Sequence, residues 1–335
     1  MIDTTWDLPG PQRWIAQTID RVRATGMVIV ATDVSTPSAP AERFLEVLGE
    51  REDCRSLVAT GDSPVSAARA AFSADAPDLV SRDQVFIVDA VTVEASCVSQ
   101  WYTFATRMRE AWACHDDPRG GLILVVRANA ASTALSSSVQ EWSGTIRPAD
   151  AMIWAEAHMP YAFNDAAIEL AAAVLQHLCG WRLDVAEALA KSRFEILVDP
   201  RGWLEACALP PGGHAAYAGT EFACPISLRD MGDWTQIERR IWRAQLGVLF
   251  PRLEEHRQAI VERWRPLLSI DAMAQKLRVR SVDDLELGAV AWQLRSRIDV
   301  KEAERIRSLA VARNYLAHRD PLGLDVIQTI LSVPP

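Results

Sequence analysis

Three polar residues near the end of the chain are of types that can act on a phosphodiester. Arg313, Asn314 and His318 lie in the string ARNYLAHRDPLG, 312–323. A guanidinium can stabilise the negative charge that grows on a pentavalent phosphate. An imidazole can pass a proton near neutral pH. In a chain so rich in arginine, with six histidines, an Arg–His pair at any one fixed spacing arises by chance roughly 0.6 times. Asparagine is scarcer, at positions 129, 164 and 314 only, and one of these directly follows the arginine. At about 100° per residue, Asn314 and His318 share a helical face, whereas Arg313 points about 140° away from His318. Ile306, Leu309, Ala310, Leu316 and Ala317 mark an apolar stripe, and Arg313 falls on it. His318 precedes Arg319-Asp320-Pro321, so it stands at the helix end, where a positive imidazolium suits the helix dipole. The residues alone leave two readings open, a phosphate-contacting set or the polar end of a bundle helix.

A second constellation lies earlier. Asp89 is the fourth residue of the run FIVDA, 86–90, and Asn129 ends VVRAN, 125–129, two residues after Arg127. A serine-rich run at 132–138 has no G-x-S-x-G elbow to make a nucleophile. Trp101-Tyr102 reads as core packing. The six cysteines (54, 97, 114, 179, 207, 224) have no C-x-x-C pair and no zinc spacing, so they read as buried free thiols, and no metal is expected.

The elements that position these residues follow from the apolar pattern. Short apolar runs ending in polar turn residues recur at 26–33, 54–62, 83–91, 120–129 and 150–158. Each reads as a buried parallel strand. Helical stretches at 11–24, 41–50, 64–74, 98–113 and 134–142 alternate with them, which predicts a doubly wound parallel α/β sheet of five strands. From about 164 the pattern is helical, with Asn164 as an N-cap and Gly180 as a stop, followed by 182–192. The proline- and glycine-bearing stretch 208–225 predicts a linker. Beyond it lie helices at 232–250 and 252–268, divided at Pro251, then 283–297, 300–319 and 322–332. The expected organisation is a sheet domain with helical extension over 1–207, a linker over 208–229 and an all-α bundle over 230–335.

At 335 residues, 49% apolar and 24% charged, the chain has ample core for two domains. A net charge of −9 argues against a broad nucleic-acid surface, although 239–265 and 278–319 are locally rich in arginine, and no DNA-specific motif is present. Only Lys191, Lys276 and Lys301 are lysines. No apolar stretch reaches spanning length, and the opening residues do not read as a signal peptide, so a cytoplasmic protein without membrane contact is expected.

The five runs over roughly 8–195 resemble a P-loop NTPase of the AAA or STAND kind. The resemblance implies that Asp89 stands at the magnesium-ligand position and Asn129 at the sensor position, both as cofactor-site vestiges. Three departures accompany it. The stretch ATDVSTPSAPAERF, 31–44, has no glycine to turn backbone N–H groups around a phosphate. No lysine precedes Lys191, and Ala90 stands where the hydrolytic glutamate belongs. The expectation is an ATPase-like fold without hydrolysis and without a bound cofactor.

The opening LPGPQRWIAQTIDRVRATGMVIVATD resembles bacterial defence-associated ATPase-like proteins that lack the phosphate loop. The region after 230 resembles the HEPN superfamily, whose Arg-x(4–6)-His motif matches Arg313, Asn314 and His318. That resemblance implies a homodimer through the bundle and, in nuclease members, metal-independent RNA cleavage. Two functions are therefore expected as alternatives. One is a non-catalytic scaffold or sensor of a bacterial defence system, working through protein partners encoded nearby. The other is a HEPN-type RNase that uses Arg313, Asn314 and His318.

Overall fold

The structure is a computed structural model and describes residues 4–49, 54–127, 138–159, 164–270 and 278–332. Its contacts divide the chain into two compact units, Met1–Asp150 with Ala215–Phe222, and Ala151–His214 with Ala223–Pro335.

In the first unit, helix α1 (Pro9–Thr25) opens on a proline, whose missing N–H costs nothing at a helix start. It ends at Gly26, which takes the left-handed conformation at φ +72°. Strand β1 (Met27–Thr32) is buried at every position. The chain continues through α2 (Pro40–Gly49), β2 (Cys54–Val58), α3 (Pro64–Phe72), α4 (Ala76–Leu79), β3 (Val85–Asp89), α5 (Ala95–Cys114), β4 (Gly121–Arg127) and β5 (Val139–Glu141). All pairings are parallel and the order is β2-β3-β4-β1-β5. This is the five-stranded doubly wound sheet that the sequence pattern predicts. Runs such as MVIVAT and VFIVD can lie inside it because both of their faces are covered by apolar groups. Phe72, Phe86, Trp101, Leu122 and Leu124 fill one core cluster, and Trp14 meets Phe44 and Trp142 at centroid distances of 5.5 and 5.1 Å. Trp101 and Tyr102 are buried, as read from the sequence. From β1 the chain crosses to β2 at one edge, while β4 connects past β1 to β5 at the other. The carboxyl ends of β1 and β4 thus form the topological switch point, where open α/β sheets usually hold their ligands.

The fifth strand is not where the apolar run suggests. DAMIWAEAH, 150–158, belongs to helix α6 (Pro148–His158), and the strand is the three-residue β5. Asp150, Ala151, Trp154 and Ala155 are buried positions of α6, a helical spacing that a short apolar run conceals. The helix expected over 134–142 is replaced at 139–141 by β5, and 134–137 lie outside the described residues.

The second unit is built on helices. Asn164 caps α7 (Asp165–Cys179) by accepting the Ala167 amide at 2.8 Å, and Gly180 follows it at φ +60°. Then come α8 (Leu183–Ala190), α9 (Phe194–Val198) and α10 (Arg201–Ala206). The segment 208–229 carries a two-stranded hairpin, β6 (His214–Tyr217) and β7 (Thr220–Ala223), whose residues 215–222 belong to the first unit, and the start of α11 (Pro225–Asp230), which belongs to the second. Next are α12 (Trp234–Trp264), α13 (Leu287–Leu294), α14 (Val300–Ala317) and α15 (Leu324–Leu331). Helix α12 runs unbroken through Pro251, against the expected division there. Pro251 is exposed, and so is Gly247 one turn earlier. The residue whose carbonyl loses its partner to proline is therefore on the exposed side of the helix, where water can replace the lost hydrogen bond.

Leu170, Val174, Leu249, Leu253, Val261, Ile306, Leu309, Leu316 and Ile327 share the core of this unit. Polar side chains on α12 fasten the chain end to it. Trp242 donates its indole N–H to the Leu316 carbonyl at 2.7 Å. Gln245, fully buried, donates to the Leu322 carbonyl at 3.2 Å and accepts the Leu322 amide at 2.6 Å. His256 bonds the Ile330 carbonyl at 3.2 Å.

A buried cationic network lies deeper. Arg182 has no exposed surface, donates to both Asp184 oxygens at 2.8 and 2.7 Å, and reaches the Pro210 carbonyl at 3.1 Å and Cys224 Sγ at 2.9 Å. Burial alone would lower its basicity, but the Asp184 hydrogen bond and charge outweigh it and raise the Arg182 pKa. Arg240 donates to the Leu178 and Ala223 carbonyls at 3.1 and 2.9 Å, and burial pushes its pKa down to about 10. Of the six free cysteines, expected to be buried, Cys179 and Cys224 are; Cys114 is exposed and the others are half-buried.

His177 makes this unit sensitive to acid. Burial, and then the charge of Arg243, hold its imidazole below the usual 6.5. As pH falls below 6.5 the unfolded chain binds this proton before the folded one does, so stability rises with pH in that window. The contribution is complete above 6.5 and is lost on acidification. The denaturation midpoint of the full chain should fall between about pH 7 and pH 5.5, and His177→Gln should flatten that slope.

Candidate functional site

At the switch point of the sheet, β1 leads into the loop 33–39, which is closed on itself. The Asp33 carboxylate accepts the amide and the hydroxyl of Ser35 at 2.8 and 2.7 Å. The Asp33 amide donates to Thr36 Oγ1 at 2.9 Å. Helix α2 then opens on Pro40, which has no N–H to offer. Thr32, the last residue of β1, is buried and donates to the Val126 carbonyl at 3.0 Å. Asp89 lies at the end of β3, half-buried, and its Oδ1 accepts the Val91 amide at 3.0 Å, closing the turn that follows. The register that pairs Asp89 with Val125 and Thr32 with Arg127 puts these residues together at the carboxyl ends of the three inner strands. Arg127 is exposed. Asn129 and most of the serine run, 132–137, lie outside the described residues.

The second candidate set occupies the last turns of α14. Ile306, Leu309, Ala310, Ala312 and Leu316 are buried, with Ala312 rather than Ala317 completing the stripe. Arg313 sits at its margin. Its guanidinium pairs with Glu286 at 3.3 Å and lies 5.9 Å from the centre of the Phe250 ring. Asn314 and His318 are exposed, one turn apart, and the Asn314 carbonyl accepts the His318 amide at 3.0 Å. The structure therefore brings Asn314 and His318 to one solvent-facing side, while Arg313 is held by α13's capping residue and α12.

His318 is the C-cap of α14, followed by Arg319 at φ +70°. The Asp320 amide reaches the Tyr315 carbonyl at 3.0 Å and the Arg319 amide reaches that of Leu316 at 3.3 Å. These two bonds make a Schellman ending, in which the left-handed position normally belongs to glycine. Arg319→Gly should accordingly raise stability by about 0.5–1 kcal/mol in denaturant titration.

Sequence reasoning missed a groove beside this set. It lies between α13 and α14, encloses about 540 Å³, and is lined by residues that include Trp292, Arg295, Val300, Arg307, Val311 and Asn314. The available signal was that Val300 and Val311 fall off the buried stripe of α14.

Among the described residues, no group of three or more His, Cys, Asp and Glu side chains could hold a metal ion. None of their helices is long and apolar enough to cross a membrane. No protein-family model matches this chain, and no curated protein matches it significantly.

Proposed function

We propose that the chain is a non-hydrolysing, ATPase-like scaffold or sensor subunit of a bacterial defence system that acts through contacts with protein partners. The loop after β1 carries this reading. An ATPase of the kind the sequence resembles offers backbone amides there to phosphate, whereas here the Ser35 amide is taken by Asp33. The same carboxylate places negative charge where phosphate charge would come, and Pro40 removes an amide from the helix start. A strand-end Asp89 that holds the Val91 amide fits a structural use of that position. Isothermal titration with ATP and Mg²⁺ should give no binding; micromolar affinity would overturn the reading.

A metal-independent HEPN-type RNase is the second reading, favoured by the exposure of Asn314 and His318 on one face. In that reading two copies of the bundle present their Arg313, Asn314 and His318 sets to one RNA. RNA incubated with wild type and with His318→Ala should stay equally intact if the scaffold reading holds. Cleavage by wild type that is lost in His318→Ala would establish the nuclease instead.

A further inference from the structure

The groove between α13 and α14 is built at helical spacing from both sides. Gly288, Ala291 and Arg295 contribute from α13 and its end, and Val300, Ala303, Arg307, Ala310 and Asn314 from successive turns of α14. From Val300 to Asn314 this face runs about 21 Å, the length of a helix of roughly four turns. Its floor consists of small residues, Gly288, Ala291, Ala303 and Ala310, over which another helix backbone can come close. Large apolar groups stand around it uncovered: Trp292, Val300, Val311 and the adjacent Tyr315 are 41–69% exposed. Four exposed large apolar side chains on two adjoining helices make a patch rather than scattered surface residues.

The charges at its rim distinguish among occupants. Arg295 lays its guanidinium over the Trp292 ring, 3.1 Å from the centroid, so stacking fixes its position while its N–H edges can still donate. Arg307 is exposed on the same face. Among the described lining residues two arginines, Arg295 and Arg307, face one acidic residue, Glu304, a basic excess of one in a chain of net charge −9. A second copy of this face would offer only Glu304 to the two arginines of its mate. A nucleic acid would find a lining dominated by Gly, Ala, Val and Trp and no continuous row of cations for its backbone. An amphipathic helix with an apolar stripe flanked by carboxylates satisfies both the floor and the rim.

We propose that the α13–α14 groove is the docking site for an acidic amphipathic helix of a partner protein, with Trp292, Val300 and Val311 as its apolar walls and Arg295 and Arg307 as its carboxylate anchors. The proposal rests on the scaffold reading in that both need a protein partner, but its test is separate. Selection of displayed helices of about 15 residues on the full chain should enrich sequences with apolar residues at i, i+3, i+4 and i+7 flanked by Asp and Glu. Synthetic peptides of the enriched sequences should lose about tenfold or more in affinity on Arg307→Glu and on Val311→Asp. Arg307 is exposed, so its reversal leaves folding intact, which an unchanged circular-dichroism melt verifies. No enrichment, enrichment of neutral or basic helices, or binding indifferent to both variants would overturn the proposal. So would a labelled single-stranded RNA oligonucleotide that binds in its place and is lost in Arg307→Glu. Self-association in sedimentation that Val311→Asp abolishes would assign the face to a second copy instead. Failure of the scaffold reading is seen elsewhere, in His318-dependent RNA cleavage or in ATP binding.

Discussion

Gly26→Ala should lower the stability of the first unit by roughly 3–5 kcal/mol, among the largest effects of any single methyl in the protein. Two costs combine. Gly26 is at φ +72°, a region that an L side chain enters at a penalty of about 1–2 kcal/mol. A Cβ there would also stand 2.2 Å from Cδ2 of Trp112 on α5, far inside van der Waals contact. The glycine ends α1 and admits β1 at once, since its amide bonds the Val22 carbonyl at 2.8 Å and its carbonyl accepts the Leu122 amide at 2.9 Å. Shifting it therefore moves the centre of the sheet. Trp112→Ala placed in the Gly26→Ala background should recover the contact part of the loss and leave the backbone part. Gly61→Ala, where no atom lies within 4 Å, should be close to neutral. Denaturant titration of the full chain checks all three.

Asp184→Asn should cost the second unit about 1–2 kcal/mol, because it leaves the buried Arg182 cation without its counter-charge, while water that reaches the 35% exposed Asp184 side chain screens part of the loss. An asparagine can keep one of the two hydrogen bonds but cannot offset the charge. Arg182→Met in the Asp184→Asn background should restore much of the loss, since a buried ion pair replaced by an apolar side chain is often close to neutral. The restoration is incomplete because the Pro210 carbonyl then lacks its donor. A double-mutant cycle isolates the pairing from the packing.

Much of the sheet was legible in the sequence because β1, β3 and β4 are apolar runs whose length and turn endings leave little alternative. β5 was not, because three residues carry no period and its place depends on pairing with Ile29, Val30 and Ala31. Pro251 misled for a related reason: whether a proline divides a helix depends on whether the freed carbonyl meets water, which the chain alone does not tell. In the candidate site, the 3.6-residue period put Asn314 and His318 on one face, as they are, and Arg313 on the apolar stripe, whereas it lies half-buried at the stripe's margin. The Glu286 and Phe250 partners of Arg313 come from other helices and leave no trace in local spacing. The same holds for Arg240, Gln245 and His256, polar residues buried where distant backbone groups receive them.

The three stations on α12 also bear on the order in which the protein is made. Trp242, Gln245 and His256 are synthesised long before Leu316, Leu322 and Ile330, the residues whose backbone groups they hold. Every strand of the five-stranded sheet precedes residue 142, so that sheet can assemble while the ribosome is still at work. The contacts that fasten the end of the helical unit wait for residues up to 330. Until then Gln245 and His256 on α12 lack the backbone groups that satisfy them in the folded unit, and the apolar seam that the chain end covers stays open.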